Sequence, residues 1–573
     1  MTRGRKLRLG LLVLILIVVA FIWLPGPSGP TIAPNSTLVL ELSGSFAETA
    51  SPPVLARLLG DNTRPFVEVL SLLAMAERDE RLDSLVVRLG WLDIGWGKAQ
   101  ELRDAIERVG EGGRRTVVLL ETGSLSANLE YYIACAADEI FVLPGAGVPL
   151  VGLAAEYIFL GGLWEKIGLE FDVARSGKYK SAVEGIAGKG MSEASREMAN
   201  SLLDSINSQF VDGIASGRSM DLEEVRAAID KGPVLPSDLL ALGLIDGIGH
   251  LDDIPGFDRS GTVSGRVYAG VDPASVGFDP VAQYALIYGS GTVVSGEGGF
   301  SPGGSNVFAA TTVSDAVHDA VEDPEIDGVI LRIDSPGGSA LASEELWYAI
   351  HHARDHEKPI IASFSDVAAS GGYYVAVATD AIVSSPATLT GSIGVFALRP
   401  IWGGVLDELG ITVEALTRGR HADYLLSTLP PSEGSRKRLQ ATVLDIYQLF
   451  VERVAEGRDL DLSRVDALGQ GRVWTGAQAF EVGLVDELGG LRAAVLRGKR
   501  ELGLDADADV ALIPYPPARS LGEQLADLLQ LRLHAMLDAA LPVPDLVRTL
   551  QGWLAVLPPG TPVLVPPILV EIR

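Results

Sequence analysis

Two stretches of this sequence repeat one pattern of residues, and this repeat limits the folds that the chain can adopt. Ala127–Ile140 aligns with Ala369–Ile382 at an offset of 242 residues, and both contain Tyr-Tyr-x-Ala-x-Ala-x-Asp. Single residues recur at the same offset: Pro144, Gly152, Gly168 and Gly177 correspond to Pro386, Gly394, Gly410 and Gly419. Matches in the same order at one offset indicate an internal duplication.

The similarity extends on both sides of these stretches. Leu82–Leu89 resembles Ile326–Ile333 at an offset of 244 residues, and Leu242–Asp246 resembles Val482–Asp486 at an offset of 240. A chain of 573 residues is also too long for one hydrophobic core. The sequence therefore predicts two homologous domains. They cover residues 35–265 and 280–505.

Each predicted domain alternates short apolar runs with helical patterns. In the second domain, Gly328–Ile333 and Pro359–Phe364 are typical of buried strands, and Ala342–His356 is typical of a helix. A further helix is predicted to begin near Ser370. This alternation predicts α/β domains with a mainly parallel sheet. Tyr288–Ser305 is rich in Gly and Ser and is predicted to be a loop.

The first 25 residues have the composition of a targeting segment. A basic start is followed by Leu9–Leu24, an uncharged run of 16 residues that Pro25 ends. This run is slightly longer than the core of a secretory signal, and no Ala-x-Ala cleavage pattern follows it closely. Residues 1–25 are therefore predicted to be an uncleaved signal anchor that forms a transmembrane helix, with the rest of the chain facing outward.

The last 68 residues, 506–573, match neither half of the repeat. They contain a Pro-rich run at Pro514–Pro517 and a helical pattern from Ser520 to Ala540. We expect a helical, Pro-containing extension, which either packs on the second domain or acts as a membrane-surface or assembly element.

Composition excludes several classes of function. The net charge of -28 disfavours nucleic acid as a partner, because binding phosphates needs clustered Lys and Arg. The single cysteine, Cys135, cannot form an intrachain disulfide. None of the seven histidines lies in a metal-binding pattern, so the sequence predicts no metal site and no cofactor.

Two glycine motifs in the second half suggest acyl-transfer chemistry. Asp334–Ser339 reads Asp-Ser-Pro-Gly-Gly-Ser directly after a predicted strand, and such glycines allow close backbone approach and exposed N–H donors. Ala369–Tyr373 places Ser370 at the start of a helix, where developing negative charge is stabilised. A serine also needs a base. Because no histidine lies inside either motif, lysine is the other option, provided that burial keeps it neutral.

At this point the sequence resembles a known family. Gly177–Glu184, Asp334–Ser339, Ala369–Tyr373 and Leu389–Gly394 together resemble signal peptide peptidase A in its long, duplicated bacterial form. The resemblance covers about residues 35–505. It implies tandem α/β domains of the Clp protease and crotonase group. It also implies a Ser-Lys serine peptidase that degrades cleaved signal peptides at the membrane.

The resemblance assigns roles to five residues. Ser370 corresponds to the nucleophile and Lys180 to the general base. Ser392 corresponds to the serine that orients the lysine. Gly338 and Gly371 correspond to the residues whose backbone N–H groups form the oxyanion hole.

The repeat gives a separate argument for one shared site. Position 128, which corresponds to Ser370, is Asn128, and position 422, which corresponds to Lys180, is Ala422. Neither half therefore has both reactive residues, and one complete pair requires the two domains to face each other. The family implies that this occurs within one chain, in a homotetramer, with the catalytic domains on the periplasmic side of the bacterial inner membrane.

Three hypotheses for the function remain at this stage. The first is a membrane-anchored serine endopeptidase that binds extended apolar peptides, including signal peptides, beside the oxyanion strand. The second is a crotonase-like acyl-CoA enzyme, because Gly-Gly donors also suit thioesters. The third is a catalytically silent membrane scaffold.

Overall fold

The computed structural model describes residues 29–49, 64–123, 126–298 and 307–516, together with the backbone of 563–564. The predicted signal anchor at residues 1–25 and the helical pattern at 520–540 lie outside these residues. Among the described residues, none of the helices combines the length and apolar character that a membrane crossing requires.

The first domain is built on a parallel sheet. In chain order its strands are β1 (Ser36–Ala47), β2 (Arg64–Pro65), β3 (Leu82–Asp93), β4 (Arg115–Leu120), β5 (Glu139–Val142), β6 (Glu170–Ser176), β7 (Gly247–Ile248) and β8 (Thr262–Ser264). The order in the sheet is β2-β1-β3-β4-β5-β7, and β8 also pairs with β1. Strand β6 is not part of this sheet, because it pairs with the second domain.

Helices cover both faces of this sheet, which explains why its central strands are almost continuously apolar. On one face, Trp96 packs edge-on against Tyr132 and Phe210, with ring centroids 5.5 and 5.7 Å away. The helices are Phe66–Arg78, Trp96–Glu111, Asn128–Ala134, Gly161–Lys166, Ala182–Ala187, Glu193–Arg218, Leu222–Lys231, Pro236–Ala241 and Gly265–Tyr268, with 3₁₀ turns at Leu251–Asp253, Arg259–Gly261 and Pro273–Val276.

The second domain repeats this topology. Its strands are β9 (Pro280–Val294), β10 (Val307–Ala309), β11 (Gly328–Ser339), β12 (Ile360–Ala369), β13 (Ala381–Ser384), β14 (Leu389–Gly391), β15 (Val395–Ile401), β16 (Val473–Thr475), β17 (Glu487–Leu488) and β18 (Asp509–Tyr515), followed by β19 (Val563–Leu564). The parallel order β18-β9-β11-β12-β13-β17 corresponds to β8-β1-β3-β4-β5-β7 of the first domain.

The helices of the second domain are also in corresponding positions. They are Ala310–Glu322, Ala340–Ala353, Gly371–Ala376, Gly403–Glu408, Glu433–Arg458, Leu462–Leu468, Gly476–Glu481 and Leu491–Glu501, with 3₁₀ turns at Arg354–His356 and Ala422–Leu425. In both domains a glycine of the 26-residue helix packs against the end of a short helix, which is Asn128–Ala134 in the first domain and Gly371–Ala376 in the second. A Cβ at Gly217 would collide with the carbonyl of Cys135, and one at Gly457 with that of Val377.

Two expectations about the second domain were wrong. The Gly- and Ser-rich stretch from Tyr288 is a strand as far as Val294, because β11 supplies hydrogen-bond partners along it. Asp509–Tyr515, expected to belong to a helical extension, forms strand β18 beside β9. Both errors arose because pairing with a distant strand decided the local conformation.

The two domains are joined by a strand of the first domain that pairs within the second. β6, from the first domain, runs antiparallel to β15 of the second, with Val395 opposite Ser176 and Ile401 opposite Glu170. This pairing brings the chain segment that follows β6 into the second domain.

Candidate active site

Ser370 occupies a strained turn between β12 and the helix Gly371–Ala376. Its backbone angles are φ 56° and ψ -114°, a region that L-residues rarely adopt. The backbone N–H of Ser370 donates a hydrogen bond to the carbonyl of Gly391 at 2.8 Å, and this contact fixes the turn. A sharp strand-to-helix turn of this kind holds a serine hydroxyl clear of its own backbone.

Lys180 reaches this hydroxyl from the first domain. It lies four residues after β6, is fully buried, and its Nζ is 2.8 Å from Oγ of Ser370. The same amine donates to the carbonyl oxygen of Ser392 at 2.9 Å and lies 3.0 Å from its hydroxyl. Burial lowers the pKa of Lys180 well below its ordinary value.

Gly338 and Gly371 lie next to each other beside Ser370. Gly371 is the first residue of a helix, so its N–H has no acceptor within that helix. A Cβ on Gly371 would lie 2.6 Å from Oγ of Ser343 and 3.1 Å from the amide nitrogen of Gly338. A Cβ on Gly338 would collide with the carbonyl of Val293. Both positions therefore require glycine on steric grounds.

Residues 335–338, a bulged end of β11 and the predicted oxyanion loop, are held by hydrogen bonds of their own. Oγ of Ser335 donates to the carbonyl of Gly291 at 2.6 Å and accepts from the N–H of Gly337 at 3.1 Å. Gly337 has a φ of 97°, which disfavours any other residue. These contacts hold the end of β11 beside the turn that contains Ser370.

A groove for an extended chain runs between β11 and β15. The backbone of β19 lies in it, with Leu564 opposite Gly338 and Val563 opposite Ser339 in antiparallel register. On its other side, Val563 is opposite Phe396. The groove can therefore add a peptide as a strand next to the predicted oxyanion residue.

An ionic cluster at the domain interface was missed by the sequence analysis. Arg332, fully buried on β11, pairs through Nη2 with Glu48 at 2.7 Å and Glu101 at 2.5 Å, both from the first domain. Burial raises the pKa of Glu101, whereas Arg332 and Lys98 outweigh burial and lower that of Glu48. The sequence did contain a signal for this cluster, namely Arg332 within the apolar run of a strand, because a buried charge is rarely found without a partner.

A second cation of this cluster is Lys98. Its Nζ lies 2.6 Å from Oδ2 of Asp334 and 2.8 Å from Oδ2 of Asp366. Burial opposes its charge, but Asp334, Asp366 and Glu48 raise its pKa far above the ordinary value. The first domain thus contributes two buried lysines to the domain interface: Lys180, which pairs with no carboxylate, and Lys98, which lies among several.

Comparisons with known proteins identify the family that this chain resembles. The profile described as peptidase family S49 matches residues 114–255 and 352–505. The chain is 35% identical to the chloroplastic serine protease SPPA of Arabidopsis thaliana, covering 79% of this chain and 68% of that protein. It is 26% identical to protease 4 of Haemophilus influenzae, covering 88% and 85%. A putative signal peptide peptidase SppA of Enterococcus faecium is 37% identical, covering 34% and 56%.

Proposed function

The chain belongs to peptidase family S49 and is a serine protease, and on that premise we propose that Ser370 is its nucleophile and Lys180 its general base. The observation that supports this assignment most is the 2.8 Å distance between Nζ of Lys180 and Oγ of Ser370 in a fully buried setting. A desolvated amine is neutral at moderate pH and can accept the serine proton.

The hydrogen bonds of Lys180 suit a neutral amine. Such an amine has two N–H donors and one lone pair, and Ser392 offers a carbonyl and a hydroxyl oxygen as acceptors. When both donors are used on Ser392, the lone pair faces the hydroxyl of Ser370. Ser392 is therefore proposed to orient the base.

The reaction then proceeds in two acyl-transfer steps. Oγ of Ser370 bonds to the scissile carbonyl carbon while its proton moves to Nζ of Lys180, and the carbonyl electron pair moves onto oxygen. The N–H groups of Gly338 and Gly371 are proposed to stabilise this oxyanion. When the C–N bond breaks, the leaving amine takes the proton from Lys180. Water then hydrolyses the acyl-enzyme with Lys180 again as base.

A serine-directed fluorophosphonate probe tests the nucleophile and the base together. We expect labelling of Ser370 in the unmodified chain, no labelling after Ser370→Ala, and strongly slowed labelling after Lys180→Ala. Lys178→Ala is the matched control, because its side chain lies over the Tyr179 ring, 4.6 Å from the centroid, and does not contact Ser370. Equal labelling of the Lys180→Ala and Lys178→Ala variants would contradict the assignment.

We propose that substrates are apolar peptides, including cleaved signal peptides, bound in extended form. The antiparallel position of β19 between β11 and β15 supports this geometry, since main-chain hydrogen bonds hold any peptide there without regard to sequence. Profiling cleavage of matched apolar and acidic peptide libraries tests the preference. A preference for acidic residues beside the scissile bond would refute it.

We propose that copies of the chain associate by repeating the β6–β15 junction. The segments corresponding to β15 and β6, residues 153–159 and 412–418, do not form strands and have exposed apolar side chains. Ile158 is 69% exposed and Leu416 91% exposed. Pairing 153–159 of one copy with 412–418 of the next would cover both segments. Repetition of this pairing around a closed ring supports the homotetramer that the family resemblance implies.

Engineered disulfides test the junction and its register. The internal pairing of Val395 with Ser176 predicts that Tyr157 of one copy is opposite Glu414 of the next. Tyr157→Cys with Glu414→Cys should give covalent oligomers on oxidation, because paired Cα atoms in antiparallel strands are within disulfide reach. Ile158→Cys with Glu414→Cys, displaced by one residue, is the control. Equal cross-linking of both pairs would reject the register.

We also propose that residues 1–25 anchor the chain in the bacterial inner membrane, with the two domains outside the cytoplasm. The support is the basic start and the uncharged run Leu9–Leu24. Retention of the chain in membranes washed with alkaline carbonate, and its release after deletion of residues 1–25, test this. Release of the intact chain by carbonate would contradict it.

The two other hypotheses gain no support from the described residues. Gly338 and Gly371 suit a thioester carbonyl as well as a peptide carbonyl, but the family match is to peptidases. A scaffold without catalysis would not need a buried lysine amine in contact with a serine hydroxyl, since burying an amine is costly.

A further inference from the structure

Lys98 connects the first domain to both segments that build the candidate site in the second. Asp334 directly precedes the oxyanion loop 335–338, and Asp366 precedes Ser370 by four residues on β12. Oδ1 of Asp334 also accepts from the N–H of Val367 at 3.2 Å. One buried amine therefore holds together the two segments whose separation sets the distance between oxyanion donors and nucleophile.

The contact is built from both sides of the domain interface. Asp366 accepts hydrogen bonds from the N–H groups of Gly95 and Lys98 at 2.9 and 2.8 Å, and so caps the helix Trp96–Glu111 of the other domain. A Cβ on Gly95 would lie 2.5 Å from Cγ of Asp366, and one on Gly97 would lie 2.5 Å from the carbonyl oxygen of Ser365. Glycine at these positions allows the approach.

The charges of the cluster explain why an amine is needed there. Asp334, Asp366 and Glu48 lie around Lys98, which is only 4% exposed. Without the cation, the partly buried carboxylates of Asp334 and Asp366 would face each other, and like charges partly shielded from water repel unless protons neutralise them. The two aspartates would move apart, and the oxyanion loop would move away from Ser370.

We propose that Lys98 is a positioning residue for the oxyanion hole, which fixes residues 335–338 against the Ser370 turn through Asp334 and Asp366. This proposal rests on the proposed function of Ser370. Lys98 itself makes no contact with Ser370 or with the groove. Its effect is on the geometry of the Gly338 and Gly371 donors, so it acts on the transition state rather than on substrate binding.

Kinetics of Lys98→Met test the proposal, because methionine keeps most of the length of the unbranched side chain and removes the charge. We expect kcat to fall about 10²-fold, as when one oxyanion donor is lost, with KM nearly unchanged. Inhibition by a peptide aldehyde, whose adduct needs the oxyanion donors, should weaken by a similar factor. Lys98→Arg should recover part of the rate.

The matched control is Arg78→Met, which removes another ion pair between the domains, with Asp509 at 2.7 Å, far from Ser370. If Lys98→Met and Arg78→Met give the same kcat and aldehyde inhibition, Lys98 has no positioning role. If Lys98→Met fails to fold, Asp366→Asn is the second variant, because its one oxygen can still accept from the N–H of Lys98 while the charge is lost. It should lower kcat more than Arg78→Met does, and an unchanged rate overturns the proposal.

The same measurements separate this proposal from that of the peptidase. If Ser370→Ala retains full cleavage, the proposed nucleophile is wrong, and the role of Lys98 falls with it. If Ser370→Ala abolishes cleavage while Lys98→Met does not change kcat, only the positioning role is wrong.

Discussion

At the carboxyl end of β12 the second domain has Ser370 in a turn with a φ of 56°, whereas the first domain has Asn128 after β4. Nδ2 of Asn128 donates to the carbonyl of Gly152 at 2.9 Å, so the residue links its helix to the next loop. Ser392, beside the lysine, corresponds to Leu150. The same backbone thus carries the proposed nucleophile in one copy and a structural hydrogen bond in the other.

The oxyanion loop shows the same division. The second domain has Pro336-Gly337-Gly338 at the end of β11, and the first has Leu92-Asp93-Ile94 at the end of β3. In the first domain the N–H of Leu92, which corresponds to Pro336, donates to Glu130 at 2.9 Å, and Ile94 occupies the position of Gly338. Under the proposed function, the first domain therefore supplies the base and interface residues, and the second supplies the nucleophile and the oxyanion donors.

The largest effect is expected when the contact between Lys180 and Ser370, which joins the two domains, is broken. Ser370→Ala and Lys180→Ala should each lower kcat/KM at least about 10³-fold, because each removes the proton transfer. The double variant should be no worse than either single variant, since both act in one step. Losses that multiply in the double variant would show that the two residues act independently.

Two arginines at corresponding positions of the two domains are expected to contribute differently to the free energy of unfolding. Arg332→Met leaves Glu48 and Glu101 buried without their cation, and we expect a loss of about 3–5 kcal/mol in the free energy of unfolding. Arg88→Met, at the corresponding position on β3, breaks partly exposed pairs with Glu41 and Glu121 and should cost at most about 1 kcal/mol. Urea unfolding measures both, and equal losses would contradict the distinction.

The pH dependence of cleavage distinguishes the two buried lysines. Because burial lowers the pKa of Lys180, kcat/KM should rise about tenfold per pH unit below that pKa and then level off. The level region should begin well below the ordinary lysine pKa of about 10.4. Lys98, whose pKa is raised, stays charged across this range. A rate that rises until pH 10 would show that Lys180 is not the titrating base.

The smallest expected effect concerns the orientation of the base. Ser392→Ala removes one hydrogen bond to Nζ of Lys180 but leaves the backbone carbonyl in place. The loss of about 1.4 kcal/mol corresponds to a tenfold fall in kcat. Ser384→Ala is the control, because that buried hydroxyl donates to the carbonyl of Ser385. Equal rates for the two variants would remove Ser392 from the proposed mechanism.

Much of this organisation could be predicted from the sequence. The offset of 242 residues predicted two related units, and strand–helix alternation predicted the α/β class. The motif around Ser370 predicted a helix start after a strand, and the structure has β12 followed by the helix Gly371–Ala376. These features depend on local composition and on comparison of the chain with itself, so the sequence carries them directly.

The repeat and the family resemblance predicted that Lys180 meets Ser370, but only the tertiary structure showed the other contacts between distant groups. Lys180 and Ser370 are 190 residues apart, and Lys98 and Asp334 are 236 apart. Whether a lysine becomes a neutral base or a permanent cation depends on the carboxylates that packing brings to it, since desolvation and nearby charge shift the pKa in opposite directions. Near neighbours in the chain do not determine that environment, so the role of Lys98 could not be predicted from the sequence, and that of Lys180 only through the family resemblance and the repeat.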